Sequence, residues 1–268
     1  MSDTGLETIA SLLDDPDENI AVASMAELLK HSDSLGDLPG KLQESDNPLM
    51  RKRIHQLQTV LTLRRRRRDF VRKLESGNFD LSDGLIEIHL QWFDNDPLPA
   101  LQEKLDAFFA SAADCHLDSL EGIAAYMHKC GFNAESETTL QPELYCISTV
   151  LAEKTGAASL LCAVARAAAD IPENFFIVRI LSEFALSDGK SLLLPQRNWQ
   201  IVPAPPQENL EFVDTATLLK FASAMLFSAA VNSDSFRYIL TIGQTVSGCE
   251  DDSILKNMPY PYNRKRKR

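Results

Sequence analysis

The side chains best suited to covalent chemistry are five cysteines, Cys115, Cys130, Cys146, Cys162 and Cys249, and the bases available to them are five histidines, His31, His55, His89, His116 and His128. A reactive thiol needs a histidine or a helix N-terminus beside it to take or stabilise its charge. No such pairing is written in the spacing. There is no C-x-x-C, no Cys/His ligand set, no histidine pair at the i, i+4 interval a helical metal site uses, and no glycine-rich phosphate loop. Neither a metal nor a cofactor is expected. Most cysteines fall in apolar helical patterns, where a thiol acts as a small hydrophobe, and their odd number suits a reducing cytoplasm.

The most apolar, most alanine-rich stretch is Gly156 to Asp170, which reads as a fully buried helix. Its first turn, Ala157-Ala158-Ser159, carries no strong nucleophile. Ser159 suits a helix cap, and Cys162 lies four residues after Ala158, on the same face but one turn deeper. His89 sits in an apolar helical run with Trp92 and reads as a packed or edge histidine, while His116 and His128 lie on the helices before the central one.

Around this stretch the pattern is mostly helical. Residues 5–32 form two apolar stripes separated by Asp14-Asp15-Pro16-Asp17, with Pro16 suited to a first helical turn. The arrangement recurs loosely: Leu35 to Leu42, then Glu44-Ser45-Asp46-Asn47-Pro48, then a helix from Leu49 to about Leu74. Two such pairs suggest a short helical repeat of the HEAT kind. Further helices are expected over Asp80 to Trp92, Leu101 to Phe109, Leu117 to His128 and Glu143 to Lys154, with an exposed loop from Asn133 to Pro142. Phe175 to Ile180 and Ser191 to Leu194 are strand-like, with Ser187-Asp188-Gly189-Lys190 as a hairpin turn between them, and Trp199 to Val202 is a third short strand. Pro203 to Pro206 reads as a linker, Thr215 to Val231 as a strongly apolar helix, Phe236 to Val246 as its partner, and Asn263 to Arg268 as a disordered basic tail.

At 268 residues and 44% hydrophobic content the chain can fill a substantial core, and its net charge of −11 argues against a general nucleic-acid surface. Two basic clusters stand apart, Arg64-Arg65-Arg66-Arg67-Arg68 and the tail Arg264 to Arg268. Five consecutive arginines point all round a helix and cannot all serve one groove. They read as a solvated stripe pairing with the acidic remainder, or as contacts to an acidic partner or nucleic acid. No window reaches the roughly 18 uninterrupted apolar residues of a membrane span, so no membrane association is expected.

Helices, a buried helix and then a small antiparallel sheet is the order of a transglutaminase-like, papain-type core. The chain resembles the bacterial transglutaminase-like proteins of the SirB type over roughly residues 8–200. Ser11 to Glu18 resembles the opening of the longer members, and Gly131-Phe132-Asn133 the family's Gly-Phe-x-Gly-Asn segment without its second glycine. Gln141 to Leu151, closing on Gly156, is similar to the family's Asp-Pro-x-Asn-Ser-Tyr-Leu-x-x-Val-Leu run: Pro142, Val150, Leu151 and Gly156 match, and the polar positions do not. Pro172-Glu173-Asn174-Phe175 stands where the family has Pro-x-His-Phe, and Leu193-Leu194-Pro195-Gln196 where it has an apolar-Asp-Pro-Phe strand.

The resemblance implies an α+β, mostly α fold: a HEAT-like N-terminal region (1–112), a degenerate transglutaminase-like core (113–205), a C-terminal helical pair (206–255) and a basic tail (256–268). It places the catalytic Cys, His and Asp positions at Ala158, Asn174 and Leu194. Asn cannot accept and return a proton near neutral pH, so the triad is absent. A remnant cleft lined by Ala158, Ser159, Cys162, Glu173, Asn174 and Leu194 is expected, in a cytoplasmic pseudoenzyme that works by binding a protein partner. Two alternatives stay open: a divergent cysteine or serine amidohydrolase or acyl transferase using Cys162 or Ser159, and a protein that binds an acidic partner or nucleic acid through Arg64, Arg65, Arg66, Arg67 and Arg68.

Overall fold

A computed structural model describes residues 3–31, 35, 38–43, 45–77, 79–136, 140–233, 238–239 and 242–243. The tail from Asn263, Cys249 and most of the expected helix 236–246 lie outside the described residues. The chain divides into two units, 1–69 and 70–268.

The first unit holds α1 (Asp3–Ser11), α2 (Glu18–Lys30), α3 (Leu38–Gln43) and the larger part of α4 (Pro48–Ser76). Acidic and amide side chains set the helix starts. Asp17 accepts the Asn19 N–H at 2.9 Å, and Asn47 accepts the Leu49 N–H at 2.9 Å, so each fills an orphan donor of a first turn. Pro16 therefore lies before the cap and outside the helix, two positions ahead of Glu18, the first residue of the turn expected to hold it. Leu6, Ala10, Leu13, Leu28, Leu35, Met50, Ile54 and Leu57 form the core. Arg53 is buried among them. Its guanidinium donates to the carbonyls of Leu13 (2.8 Å) and Asp15 (2.6 Å) and to the Glu18 carboxylate (2.9 Å), tying α4 to the turn between α1 and α2.

The second unit opens with α5 (Leu81–Trp92), capped by Asp80, α6 (Leu98–Ala113) and α7 (Leu120–Lys129), capped by Ser119. Helix α6 is longer than its apolar run because Pro97 and Pro99 set its start. The expected helix 143–154 is broken in two: a 3-10 turn over Pro142–Tyr145 and then α8 (Ile147–Glu153). Cys146 between them is extended, and Lys154 at φ +58° closes α8 in the left-handed region. Part of the expected loop before it is ordered as a strand. β1 (Asn133–Glu135) pairs in parallel with β2 (Thr155–Ala157), which leads directly into α9 (Ala158–Ala168).

After α9 comes an antiparallel sheet of β3 (Phe176–Ile180), β4 (Glu183–Ser187), β5 (Ser191–Leu194), β6 (Gln200–Pro203) and β7 (Glu211–Phe212), in the order β6-β5-β4-β3-β7. β4 is absent from the sequence reading. Phe184 to Ser187 are buried on both faces, so the strand shows no alternation. The turn Ser187 to Lys190 consequently joins β4 to β5 rather than β3 to β5. It is locked by Asp188, whose carboxylate accepts the N–H groups of Lys190 and Ser191, and by Gly189 at φ +88°. Pro203 to Pro206 is no interdomain linker either: the chain returns through β7 to pair with β3 before entering α10 (Thr215–Asn232).

One apolar core spans 70–242, with residues of α5, α6, α7, α9, the sheet and α10 all in it. It crosses both 112 and 205, so compactness does not divide this part of the chain at those positions. The molecule is mostly helical with a small antiparallel sheet and a C-terminal helix. By length and composition α10, with 18 residues and a mean hydropathy of 1.2, is apolar enough to cross a membrane despite Lys220. Here Leu218, Leu219, Ala222 and Leu226 spend that apolarity on the core.

Candidate functional site

The first turn of α9, where the sequence resemblance would put a nucleophile, is closed. Alanine-rich sequence favours the helix, and its small side chains allow close packing on β4. Gly156, just before it, is required by close approach: a Cβ there would stand 2.9 Å from Val150 Cγ1 and 3.0 Å from its Cγ2. The N-cap position is Ala157, which supplies no side-chain hydrogen bond. Ala158, Ser159 and Cys162 are all buried, so Ser159 lies in the first turn without acting as the cap.

The remaining residues of the expected cleft do not gather round this turn. Glu173 and Asn174 are exposed in a 3-10 turn, Pro172–Asn174. That turn is tied to the last turn of α9, where Arg166 Nε donates to the Pro172 carbonyl at 3.2 Å. Arg166 is eight residues beyond Ala158, about 12 Å along the helix axis. Leu194 fails for a different reason. Cross-strand register puts Ile177, Leu186, Leu193 and Ile201 in one row, and all four join the core that contains α9. Leu194 follows Leu193, so the pleat turns it to the other face, where it packs with Val178, Ala185 and Leu192. A cleft lined jointly by Ala158, Asn174 and Leu194 is therefore not formed.

The arginine run of α4 is equally mixed. Arg65 is exposed, while Arg66, Arg67 and Arg68 are half-buried and engaged with other groups; nothing is described for the Arg64 side chain. These placements follow from a run that circles the helix.

A polar constellation that the spacing did not reveal lies between α5, α6 and α8. His89, 1% exposed, packs against Phe93 with the rings tilted and their centroids 5.1 Å apart, and its Nε2 lies 2.9 Å from Asp96 Oδ2. Burial holds its pKa below the ordinary 6.5, with the Asp96 hydrogen bond and charge opposing and Lys104 reinforcing the shift. The neutral ring donates Nε2–H to Asp96, leaving Nδ1 enclosed with no partner among the described residues. Lys104 Nζ donates to Ser148 Oγ at 2.8 Å. Cys146 is fully buried, and burial together with the Glu143 and Asp96 carboxylates pushes its thiol well above its usual range.

These groups fasten the corner rather than activate a nucleophile: the thiol stays protonated and the histidine's second nitrogen is sealed. The signal that could have found them is Asp96 seven residues after His89, with a helix end and Pro97 between and beside them. Among the described residues no three His, Cys, Asp or Glu side chains converge as a metal-ligand set. Cys115, Cys130, Cys146 and Cys162 are free thiols.

No protein-family model, curated protein or solved structure matches the chain.

Proposed function

We propose that this chain is a non-catalytic, transglutaminase-like protein that acts by binding another protein in a reducing cytoplasm, with HEAT-like helical pairs in its first unit. The observation that carries the non-catalytic part of the reading is the buried first turn of α9, occupied by Ala157 and Ala158 with no thiol or base; the transglutaminase-like part rests on the sequence resemblance alone, since Asn174 and Leu194 do not join that turn. A thiol one turn deeper, at Cys162, is fully buried and out of reach of a substrate. The helical unit and the exposed turns around the sheet remain as surface for a partner.

The competing reading, an amidohydrolase or acyl transferase using Cys162 or Ser159, makes the opposite prediction for thiol chemistry. An electrophilic probe at neutral pH is expected to label Cys115 and Cys130 in the folded chain and Cys162 only after denaturation. Labelling of Cys162 in the folded chain faster than free cysteine overturns the non-catalytic reading. Binding is read separately, by crosslinking in intact cells and mass spectrometry. One recurrent protein partner supports the proposal, and none at any crosslinker length overturns it.

A further inference from the structure

The ring of His89 is enclosed in a way that suits only its neutral form. Nε2–H donates to Asp96 at 2.9 Å, the ring lies against Phe93, and Nδ1 is buried with no partner among the described residues. While the ring is neutral, Nδ1 is an acceptor that forgoes one hydrogen bond. Once protonated, it is an N–H donor on a cation, and a buried charged donor without an acceptor costs more than a buried neutral acceptor. Asp96 offsets part of that cost, but its side chain is 45% exposed and water screens the pair.

Few charges face the ring. Asp96, from the turn after α5, favours the imidazolium, and Lys104, from α6, opposes it. The 3-10 turn Pro142–Tyr145 brings Glu143, whose charge acts on Cys146. From α8 comes Ser148, held by Lys104 Nζ at 2.8 Å. Helix α9 brings uncharged buried residues, and α10 meets α5 where Gln91 Nε2 donates to Ser223 Oγ at 3.1 Å. On α5 itself Glu87 is two residues from His89, on the opposite side of the helix.

Cys146 lies behind the same corner. It is fully buried and extended, at the joint between the 3-10 turn and α8, and the Asp96 carboxylate acts on its thiol as well as on His89. A movement that lets water reach the ring therefore also reaches the thiol. We propose that the corner of α5, α6 and α8 is an acid-released latch: protonation of His89 opens it and exposes Cys146 while the core around α9 stays closed.

The direction follows from burial, which holds His89 below its ordinary pKa, so the open form with its ring in water takes the proton more readily. The latch is held in full above about pH 6.5 and yields as pH falls below that value. At pH 5 the gain in the open form is at most about thirtyfold, the limit set by a free imidazole.

The test is labelling of the full chain with a dipyridyl disulfide, which captures thiols in mildly acidic as well as neutral solution, followed by peptide mapping. Each rate is divided by that of the same cysteine in denaturant at the same pH, so the ratio reads opening alone. Between about pH 7.5 and 5 the Cys146 ratio is expected to rise several-fold, up to about thirtyfold, while Cys162 stays protected. In His89→Gln the rise is expected to vanish. Asp96→Asn removes the carboxylate that favours the imidazolium, so its rise is expected to exceed that of the native chain; it keeps the ring and carries the test if His89→Gln does not fold. A Cys146 ratio that stays flat with pH overturns the latch, as does an equal rise in the native chain and His89→Gln, or a smaller one in Asp96→Asn. A parallel rise at Cys162 overturns it too, because acid would then be unfolding the whole core.

Discussion

Residues 3–69 and residues 70–243 solve the problem of holding helices together in different ways. In the first unit a buried cation, Arg53, reaches two carbonyls and a carboxylate from the turn between α1 and α2. In the second unit the central element is α9, whose buried residues Ala158 to Ala165 include no charge. A guanidinium is directional: it fixes which turn meets which helix, because only one arrangement satisfies its donors. Apolar burial is strong but nondirectional. The second unit gains its specificity from register, caps and close approaches such as Gly156 against Val150.

The largest effect that would sharpen this contrast is expected in α9. Leu161→Ala removes a fully buried side chain from a helix packed on the sheet, and should cost about 2–5 kcal/mol of stability by denaturant unfolding. A loss below about 1 kcal/mol would show that α9 is not the centre of the core.

An intermediate effect is expected at Arg53. Arg53→Met keeps the bulk but leaves the Leu13 and Asp15 carbonyls without their donor, a loss of about 1–3 kcal/mol. Faster amide exchange should be confined to α1 and α2. Glu18→Gln should cost less than about 1 kcal/mol, because Glu18 is 79% exposed and its ion pair is screened by water. Equal effects of the two substitutions would mean that charge pairing, rather than carbonyl capture, holds the turn.

The smallest effect near neutral pH is expected at His89. Its folded pKa lies below 6.5 because burial disfavours the imidazolium, so the unfolded chain binds the extra proton more readily. Stability from the buried neutral ring is complete above about pH 6.5 and is lost as pH falls through the folded value. Unfolding midpoints measured between about pH 7.5 and 5 should therefore drop for the native chain. The slope should be flatter in His89→Gln, and an equal slope in both would remove His89 from the acid response.

Much of this architecture could be read from residue order. The apolar repeat of α5, the alanine-rich α9 and the Asp188-Gly189 turn announce themselves locally, because each depends on contacts within a few residues. β4 did not, since a strand buried on both faces lacks the alternation that marks a half-exposed one. Nor did β1 and β7, whose two or three residues become strands only through partners far away in sequence. The candidate site was legible only in part: the absence of a thiol from the first turn of α9 is a matter of residue identity, but the separation of Asn174 and Leu194 from that turn is not.

Composition and periodicity alone determined that the chain is mostly helical, that α9 is interior and that its first turn has no thiol or base. Those properties follow from side-chain chemistry and the 3.6-residue repeat. The tertiary structure decided which groups meet. Arg53 finds carbonyls about 40 residues away, His89 closes on Asp96 across a helix end, and one step of strand pleat sends Leu193 to the core and Leu194 to the other face. Pairing over such separations depends on how the chain folds back on itself, and no local pattern encodes it.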